Sequence, residues 1–355
     1  MKQNKHNTKL SSKIIFMMIL ISIFILIVPR LSTFKLDNYN SITKLNIVSS
    51  YGDNEAYHPK VLNFENEWHG YKYWMAFTPY PGADDSRENP HIVASNNLVE
   101  WKTPEGLINP LDEVKDSVKY KKYNSDTHLV YNENLDRIEC YWRYVNDLEN
   151  QVIIYRRCSS DGVNFSDKEI FIKSDNRKEK DYVSPAIVYE NQTYKMWYVD
   201  KRKVQYKESK DGVNWSNDYI VEVNYEDPRL DTWHLDVIST EKGYEMVTVA
   251  YRGNEKRKNM NVYYAYSNNE KQNWSQAIKI LEPTTGTKYW DNQGLYRSCL
   301  VYEDGVYILF YSGFNTKSEH GIGIVYGKDI TKLNSVNVDF FKYKNSEKML
   351  ELVEN

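Results

Sequence analysis

The sequence predicts an all-β protein: a five-bladed β-propeller with four antiparallel strands per blade, preceded by an apolar N-terminal signal or anchor segment. Three observations carry that expectation. A polar turn closed by an aromatic recurs along the chain. Runs rich in Tyr, Trp, Val and Ile precede each copy. No convincing amphipathic helix interrupts them.

The turn is the clearest signal. "SSDGVNFS" at 159–166 nearly reappears as "SKDGVNWS" at 209–216, with looser echoes "SNNEKQNWS" at 267–275 and "SNNLVEWK" at 95–102. Asp-Gly reverses the chain tightly, since Gly takes φ > 0 readily and a nearby Ser bonds backbone amides. In a blade, this is the link between third and fourth strands, and the aromatic behind it fills the gap to a neighbouring blade. Such turns read as structural rather than catalytic.

The strand candidates fall into five units. The first holds "HPKVLNF", "YKYWMAFTPY" and "HIVAS"; the second, "THLVYN", "RIECYWRYV" and "QVIIYRRCS". The third gives "PAIVYE", "YKMWYV" and "VQYKES", and the fourth "LDVIST", "YEMVTVAYR" and "NVYYAYS". The fifth gives "RSCLVYED", "GVYILFYSG" and "GIGIVYG", with a closing turn, "KDITKL", that has lost its aromatic. Blades therefore begin near residues 58, 126, 184, 234 and 297 of a propeller covering 45–355. A ring must leave no exposed edge, so "KLNIVS" at 44–49 is placed to pair with the last blade. "SVNVDFFKY" at 335–343 supplies another outer strand.

The N-terminus differs from the rest. "MKQNKHNTKLSSK" is basic and "IIFMMILISIFILIVP", residues 14–29, is almost wholly apolar. Residues 1–30 are thus expected to be a signal peptide or signal-anchor, with a linker at 31–44. The apolar run falls just short of the about 20 residues that span a bilayer. Lysines on its N-terminal side predict that the body lies outside the cytoplasm, secreted or anchored to the outer face of the membrane.

Aromatic residues make up 14% of the chain, including 31 Tyr and 9 Trp. Such side chains suit pleated, half-buried surfaces and also stack on sugar rings. A net charge of −3, with no basic stripe, excludes a nucleic-acid binder held by phosphate neutralisation. Three cysteines make no disulfide scaffold. Cys140 and Cys158 flank one hairpin turn, where a cross-strand bond or two unpaired thiols are both geometrically open.

Aligning the innermost strands puts His58, Asp126, Ser184, His234 and Arg297 in one layer of the channel. Lys60, His128, Ala186, Asp236 and Cys299 follow two residues deeper on the same face. The loop "TPYPGADDSRENPH" brings Glu88 to the rim, and other loops offer Arg143, Arg252 and His320. Trp233, Tyr57 and Tyr80 are candidate platforms for a sugar's apolar face.

With "HP" opening the first blade, "SP" opening the third and S-x-D-G-x-x-W turns, the chain resembles the five-bladed propeller glycosidases of families 43 and 32 over residues 45–345. The resemblance implies carboxylate acid/base chemistry at the channel mouth. The sequence departs from family 43 where that chemistry sits. His58-Pro59 replaces an Asp-Pro, and Ser184 and His234 stand where an Asp and a Glu are expected.

The carboxylates that remain are Asp126, Glu88 and Asp236. We therefore expect a glycoside hydrolase-like protein acting on a cell-surface or environmental polysaccharide. Asp126 is its nucleophile or base, Glu88 its acid, and Asp236 tunes His234 or His128. His58, His128, His234, Arg297, Trp233, Tyr57, Tyr80 and Arg252 are the expected carbohydrate-binding residues. A non-catalytic carbohydrate-binding propeller is the alternative. His58, His128 and His234 with Asp126 and Asp236 also form a set able to hold a divalent ion. No His-x-x-x-His or comparable local spacing is present, so no cofactor is expected beyond a single structural Ca²⁺ in the channel.

Overall fold

The structure, a computed structural model, describes residues 44–255 and 258–335. The expected signal or anchor, the linker up to residue 43 and the C-terminal strand beyond residue 335 lie outside the described residues. Blade one is built from β1 (Ala56–Trp68), β2 (Tyr71–Pro79) and β3 (His91–Ser95). Blade two comprises β4 (Lys122–Asn132), β5 (Arg137–Asn146), β6 (Gln151–Ser159) and β7 (Glu169–Ser174). Blade three comprises β8 (Val183–Glu190), β9 (Thr193–Asp200), β10 (Lys203–Ser209) and β11 (Tyr219–Val221). Blade four comprises β12 (Leu230–Thr240), β13 (Gly243–Arg252), β14 (Asn261–Ser267) and β15 (Ile278–Leu281). Blade five comprises β16 (Gly294–Glu303), β17 (Val306–Phe314), β18 (His320–Gly327) and β19 (Asn334–Ser335).

Among the described residues, every pairing of the named strands is antiparallel and between sequence neighbours, and the first strands of the blades contact one another in cyclic order. The propeller is five-bladed, as expected. Blade one corrects the expectation of four strands throughout. Its fourth strand shrinks to a single bridge between Ala94 and Lys102. Pro104 follows two residues later, and proline has no N–H to extend a ladder. The ring is closed by the chain before β1: the Leu45 amide donates to the Ile322 carbonyl at 2.8 Å.

The hydrophobic core lies between the blades. Five buried clusters occupy five seams, each drawing its residues mainly from two adjacent blades. The recurrent turns supply a plug to each seam. Phe165, Trp215 and Trp274 pack into the seam with the preceding blade, and Trp101 meets Phe310 of blade five edge to face. In the fifth unit, which has no aromatic at the turn, Ile330 takes the place.

Within the turns, Ser159 Oγ accepts from the Gly162 amide at 2.9 Å and Asp161 accepts from the Val163 and Asn164 amides. The 209–216 turn repeats the pattern through Ser209 and Asp211. Gly162 has φ +75°, and a Cβ there would stand 2.1 Å from the Trp74 ring of blade one. Gly162→Ala is expected to cost about 2–5 kcal/mol, from a left-handed backbone penalty and overpacking together. Gly305→Ala, at φ +80° with nothing within 4 Å, should lose only the backbone part. Urea denaturation of the two variants checks the difference.

Tyrosine abundance has a second structural origin. Near the start of the second strand in four blades, a tyrosine hydroxyl reaches a carboxylate of the preceding blade. The pairs are Tyr73 with Glu303, Tyr194 with Glu139, Tyr244 with Glu190, and Tyr307 with Glu245. Each carboxylate is thereby given a charge-assisted partner across a seam. The cysteines are all free and buried. Cys140 pairs with Arg157 and Cys158 with Glu139 in the β5–β6 ladder. That one-residue offset puts the two thiols on opposite faces of the sheet.

Candidate active site

Each innermost strand is broken by a register shift at the layer nearest the pocket. The shifts fall between Tyr57 and Lys60, Ser125 and His128, Val183 and Ala186, Thr232 and His234, and Leu295 and Ser298. A bulge inserts an extra residue and re-aims its side chain. His58, Asp126 and Ser184 hold φ of +52°, +50° and +53° there. Such left-handed backbone is uncommon outside glycine and tends to occur at functional sites. The register shift recurs in all five innermost strands; it leaves His58, Asp126, Ser184 and Arg297 unpaired, while in the fourth blade Trp233 is the unpaired residue and His234 stays paired with Val249.

Hydrogen bonds lock the layer from blade to blade. Thr127 Oγ1 donates to the His58 carbonyl at 3.0 Å, and the Ser184 amide donates to Asp126 Oδ2 at 3.2 Å. Ser184 Oγ donates to the Leu235 carbonyl at 3.0 Å. Below them, Lys60 Nζ meets both oxygens of Asp236 at 2.8 Å, and the Leu300 amide donates to the same carboxylate. Asp236 lies only 3.8 Å from His128 Nδ1, but its firm partner is Lys60. This second layer is a buried, internally satisfied plug.

Above it opens a cavity of about 190 Å³ lined by His58, Asp126, His234, Glu88, Asp85, Ser125 and Val183. Tyr80, Trp233, Tyr296, Tyr120, Tyr123, Arg143, Arg177 and Asp181 complete the wall. Drug-sized ligands occupy roughly 300–1,000 Å³, so the cavity has room for about one sugar unit. Of the residues expected in the site, Asp126, Glu88, His58, His234, Trp233 and Tyr80 come together here. His128, Asp236, Arg297, Tyr57 and Arg252 do not line it. Tyr57 stacks beneath, between Tyr80 and Tyr296 at 5.7 and 5.0 Å, and Arg252 is engaged outside by Asp227. Arg297 lies under the floor, donating to the Pro185 carbonyl at 2.8 Å with Nη1 3.9 Å from Asp126.

Three donors converge on the floor. His58, Asp126 and His234 are all buried and each offers a ligand atom within 4.8 Å of the others. His234 Nδ1 is 3.4 Å and His58 Nε2 is 3.9 Å from Asp126 Oδ1. Ligands at about 2.0–2.2 Å from a tetrahedral ion stand about 3.3–3.6 Å apart, close to these separations. His58 Nδ1 faces Thr78 Oγ1 at 3.0 Å, which leaves Nε2 to point at Asp126. His58 Nε2 and Asp126 Oδ1 are buried and make no hydrogen bond. Two imidazoles and one carboxylate facing one another fit a divalent cation.

The electrostatics separate the two carboxyls. Burial, reinforced by the charges of Asp126 and Asp85, pushes Glu88 well above the usual carboxyl range. Burial also works against ionisation of Asp126. There, His234, His58, Arg297 and Arg143 outweigh it and hold the carboxyl below the usual range. Burial lowers His58 to about 3, keeping the imidazole neutral and able to ligate. Glu88 Oε1 sits 3.5 Å from His58 Nδ1, on the ring edge away from the Nε2 that faces Asp126.

Comparison with solved structures identifies the architecture. A thermostable family-43 glycoside hydrolase superposes with TM-score 0.58 at 14% identity, covering 83% of this chain and 96% of its own. The fold is that of the family-43 glycosidases. An α-L-arabinanase of Cellvibrio cellulosa, solved with arabinohexaose, matches with TM-score 0.56 at 12% identity over 77% and 92% of the two chains.

An N-acetylgalactosamine deacetylase from Flavonifractor plautii, solved with blood group B trisaccharide, reaches TM-score 0.71 at 23% identity, covering 81% and 94%. In sequence, the chain is 28% identical over 302 residues to the A type blood N-acetyl-α-D-galactosamine deacetylase of F. plautii. That match takes in 72% of this chain but only 39% of the relative's length. No family model matches the chain.

Proposed function

We propose that the protein is a carbohydrate-active hydrolase that removes an N-acyl group from a terminal amino sugar of an extracytoplasmic glycan. The observation that carries this reading is the convergence of His58, Asp126 and His234 on one point at the cavity floor. The sequence likeness to a sugar deacetylase supports it, and the basic-then-apolar N-terminus supports action outside the cytoplasm. A cavity sized for one sugar unit favours a terminal residue over the interior of a polymer.

His58 through Nε2, Asp126 through Oδ1 and His234 would hold a divalent ion. Such an ion polarises an acyl carbonyl and acidifies a water. The chain's own groups do the rest. Trp233, whose Nε1 donates to Tyr296 Oη at 2.9 Å, forms with Tyr296 and Tyr80 an aromatic wall for the sugar's apolar face. The water oxygen bonds to the acyl carbon, and one water proton leaves to solvent. The C–N bond then breaks, and Glu88 gives its proton to the departing nitrogen. Solvent restores that proton, because buried Glu88 favours the neutral form.

A second reading retains glycosidic hydrolysis, with Glu88 as acid and Asp126 as base. The observation favouring it is that both line one cavity, with burial pushing Glu88 up and the surrounding His and Arg charges holding Asp126 down. One experiment separates the readings. The full chain is incubated with N-acetylhexosamine-terminated oligosaccharides, and released acetate and new reducing ends are both quantified, before and after chelation. We expect acetate release, lost on chelation and restored by a divalent ion, with the glycosidic bond intact. New reducing ends without acetate would replace the deacetylase reading by the glycosidase one. Glycan binding without either product would leave a non-catalytic binder.

A further inference from the structure

We propose that Arg143 is a catalytic residue, donating from Nη1 to the acyl oxygen as negative charge develops on it; this rests on the deacylation reading above. Arg143 stands on β5 in register with Ser125 of β4, the residue before Asp126. It lines the cavity yet is only 3% exposed.

Two of its three nitrogens are committed. Nε donates to the Asp181 carbonyl at 2.9 Å and Nη2 to the Asp181 carboxylate. Asp181 is itself gripped by Arg177, whose Nε donates to Oδ1 at 2.8 Å. Nη1, by contrast, makes one long hydrogen bond, 3.4 Å to Ser125 Oγ, and the guanidinium also bonds the Tyr123 side chain on the cavity wall. The guanidinium is thus clamped from behind with one corner presented beside the reacting floor. Its field reaches the same groups: the charge of Arg143 is felt at His58, Glu88 and Asp126.

The chemistry calls for such a donor. When water oxygen bonds to the acyl carbon, the carbonyl π electrons move onto the acyl oxygen. They return as the C–N bond breaks. A fixed cationic donor in a water-poor site stabilises that transient charge without reorganising. Arg177, the other cation of the wall, is turned away by Asp147 and Asp181 and serves as the brace.

The test compares acetate-release kinetics of Arg143→Met and Arg143→Lys with wild type, alongside their melting temperatures. Loss of one such donor typically lowers kcat by about 10²–10³-fold. We expect that loss in Arg143→Met with KM nearly unchanged. Arg143→Lys should lose at least about 10-fold, because a flexible amine cannot keep the clamped fork. A lowered melting temperature with unchanged kcat, or a raised KM with unchanged kcat, would overturn the inference. If Arg143→Met does not fold, the kcat of Arg143→Lys decides by itself. Wild-type protein that releases no acetate would remove the deacylation reading, and this inference with it.

Discussion

Asp126→Asn is expected to lower turnover by at least about 10³-fold and to abolish divalent-ion binding. The carboxylate is the sole anionic member of the converging triad, so neutralising it leaves only two imidazoles to hold the ion. Shape is nearly conserved, and the amide oxygen can still accept from the Ser184 amide that now bonds Oδ2 at 3.2 Å. The loss is therefore one of charge rather than of architecture. A second effect follows from Arg297, 1% exposed and 3.9 Å from Asp126. Asp236 still balances part of that buried guanidinium, so the cost should stay below the about 3–5 kcal/mol of a fully broken buried pair. Calorimetric titration with Zn²⁺ and thermal melting read the two effects separately.

Glu88→Gln should behave in the opposite way toward stability. Turnover is expected to fall by at least ~10²-fold, because the amide cannot give a proton to the departing nitrogen. Ion binding should survive, since Glu88 is not among the converging ligands. The folded-state pKa of Glu88 lies above its unfolded value. Above pH 4.5 the unfolded chain releases this proton while the folded chain keeps it. Stability is then lost as pH rises toward the raised folded value. Glutamine removes that contribution, so the variant should be more stable than wild type at neutral pH, with a flatter dependence through the acidic-to-neutral range. Denaturant titrations at several pH values check it, and a variant less stable than wild type at neutral pH would contradict the buried-acid assignment.

Much of the architecture was legible in the chain because it is written locally. The Asp-Gly turns, their aromatic plugs and the alternating strands need only a few neighbouring residues, and together they dictate blades, ring and channel. Blade one escaped because its last strand fails through a proline that no turn motif announces. The layer of His58, Asp126, Ser184, His234 and Arg297 was also readable, from the phase of the apolar runs. The bulge that turns three of those residues into left-handed backbone was not, since no glycine marks it.

The pocket was harder. Its ligand-like triad draws one residue from each of blades one, two and four, so no spacing along the chain betrays it. His128 and Asp236 share the polarity of their neighbours above, and only burial and the Lys60 pair show that they form the plug beneath. Tyr120, Tyr123, Arg177, Asp181 and Tyr296 were missed as pocket residues, though they stand in the segments entering β4, β8 and β16. The signal for them was position just before an innermost strand, the same signal that singled out Trp233 and Tyr57. Position alone did not separate Trp233 in the wall from Tyr57 stacked under it.

Anomalous diffraction from crystals of the protein grown with Zn²⁺ bears most directly on the claim that three blades build one metal centre. A peak is expected within about 2.0–2.2 Å of His58 Nε2, Asp126 Oδ1 and a ring nitrogen of His234. Density for the ion elsewhere, with those three side chains closed on one another, would overturn that claim.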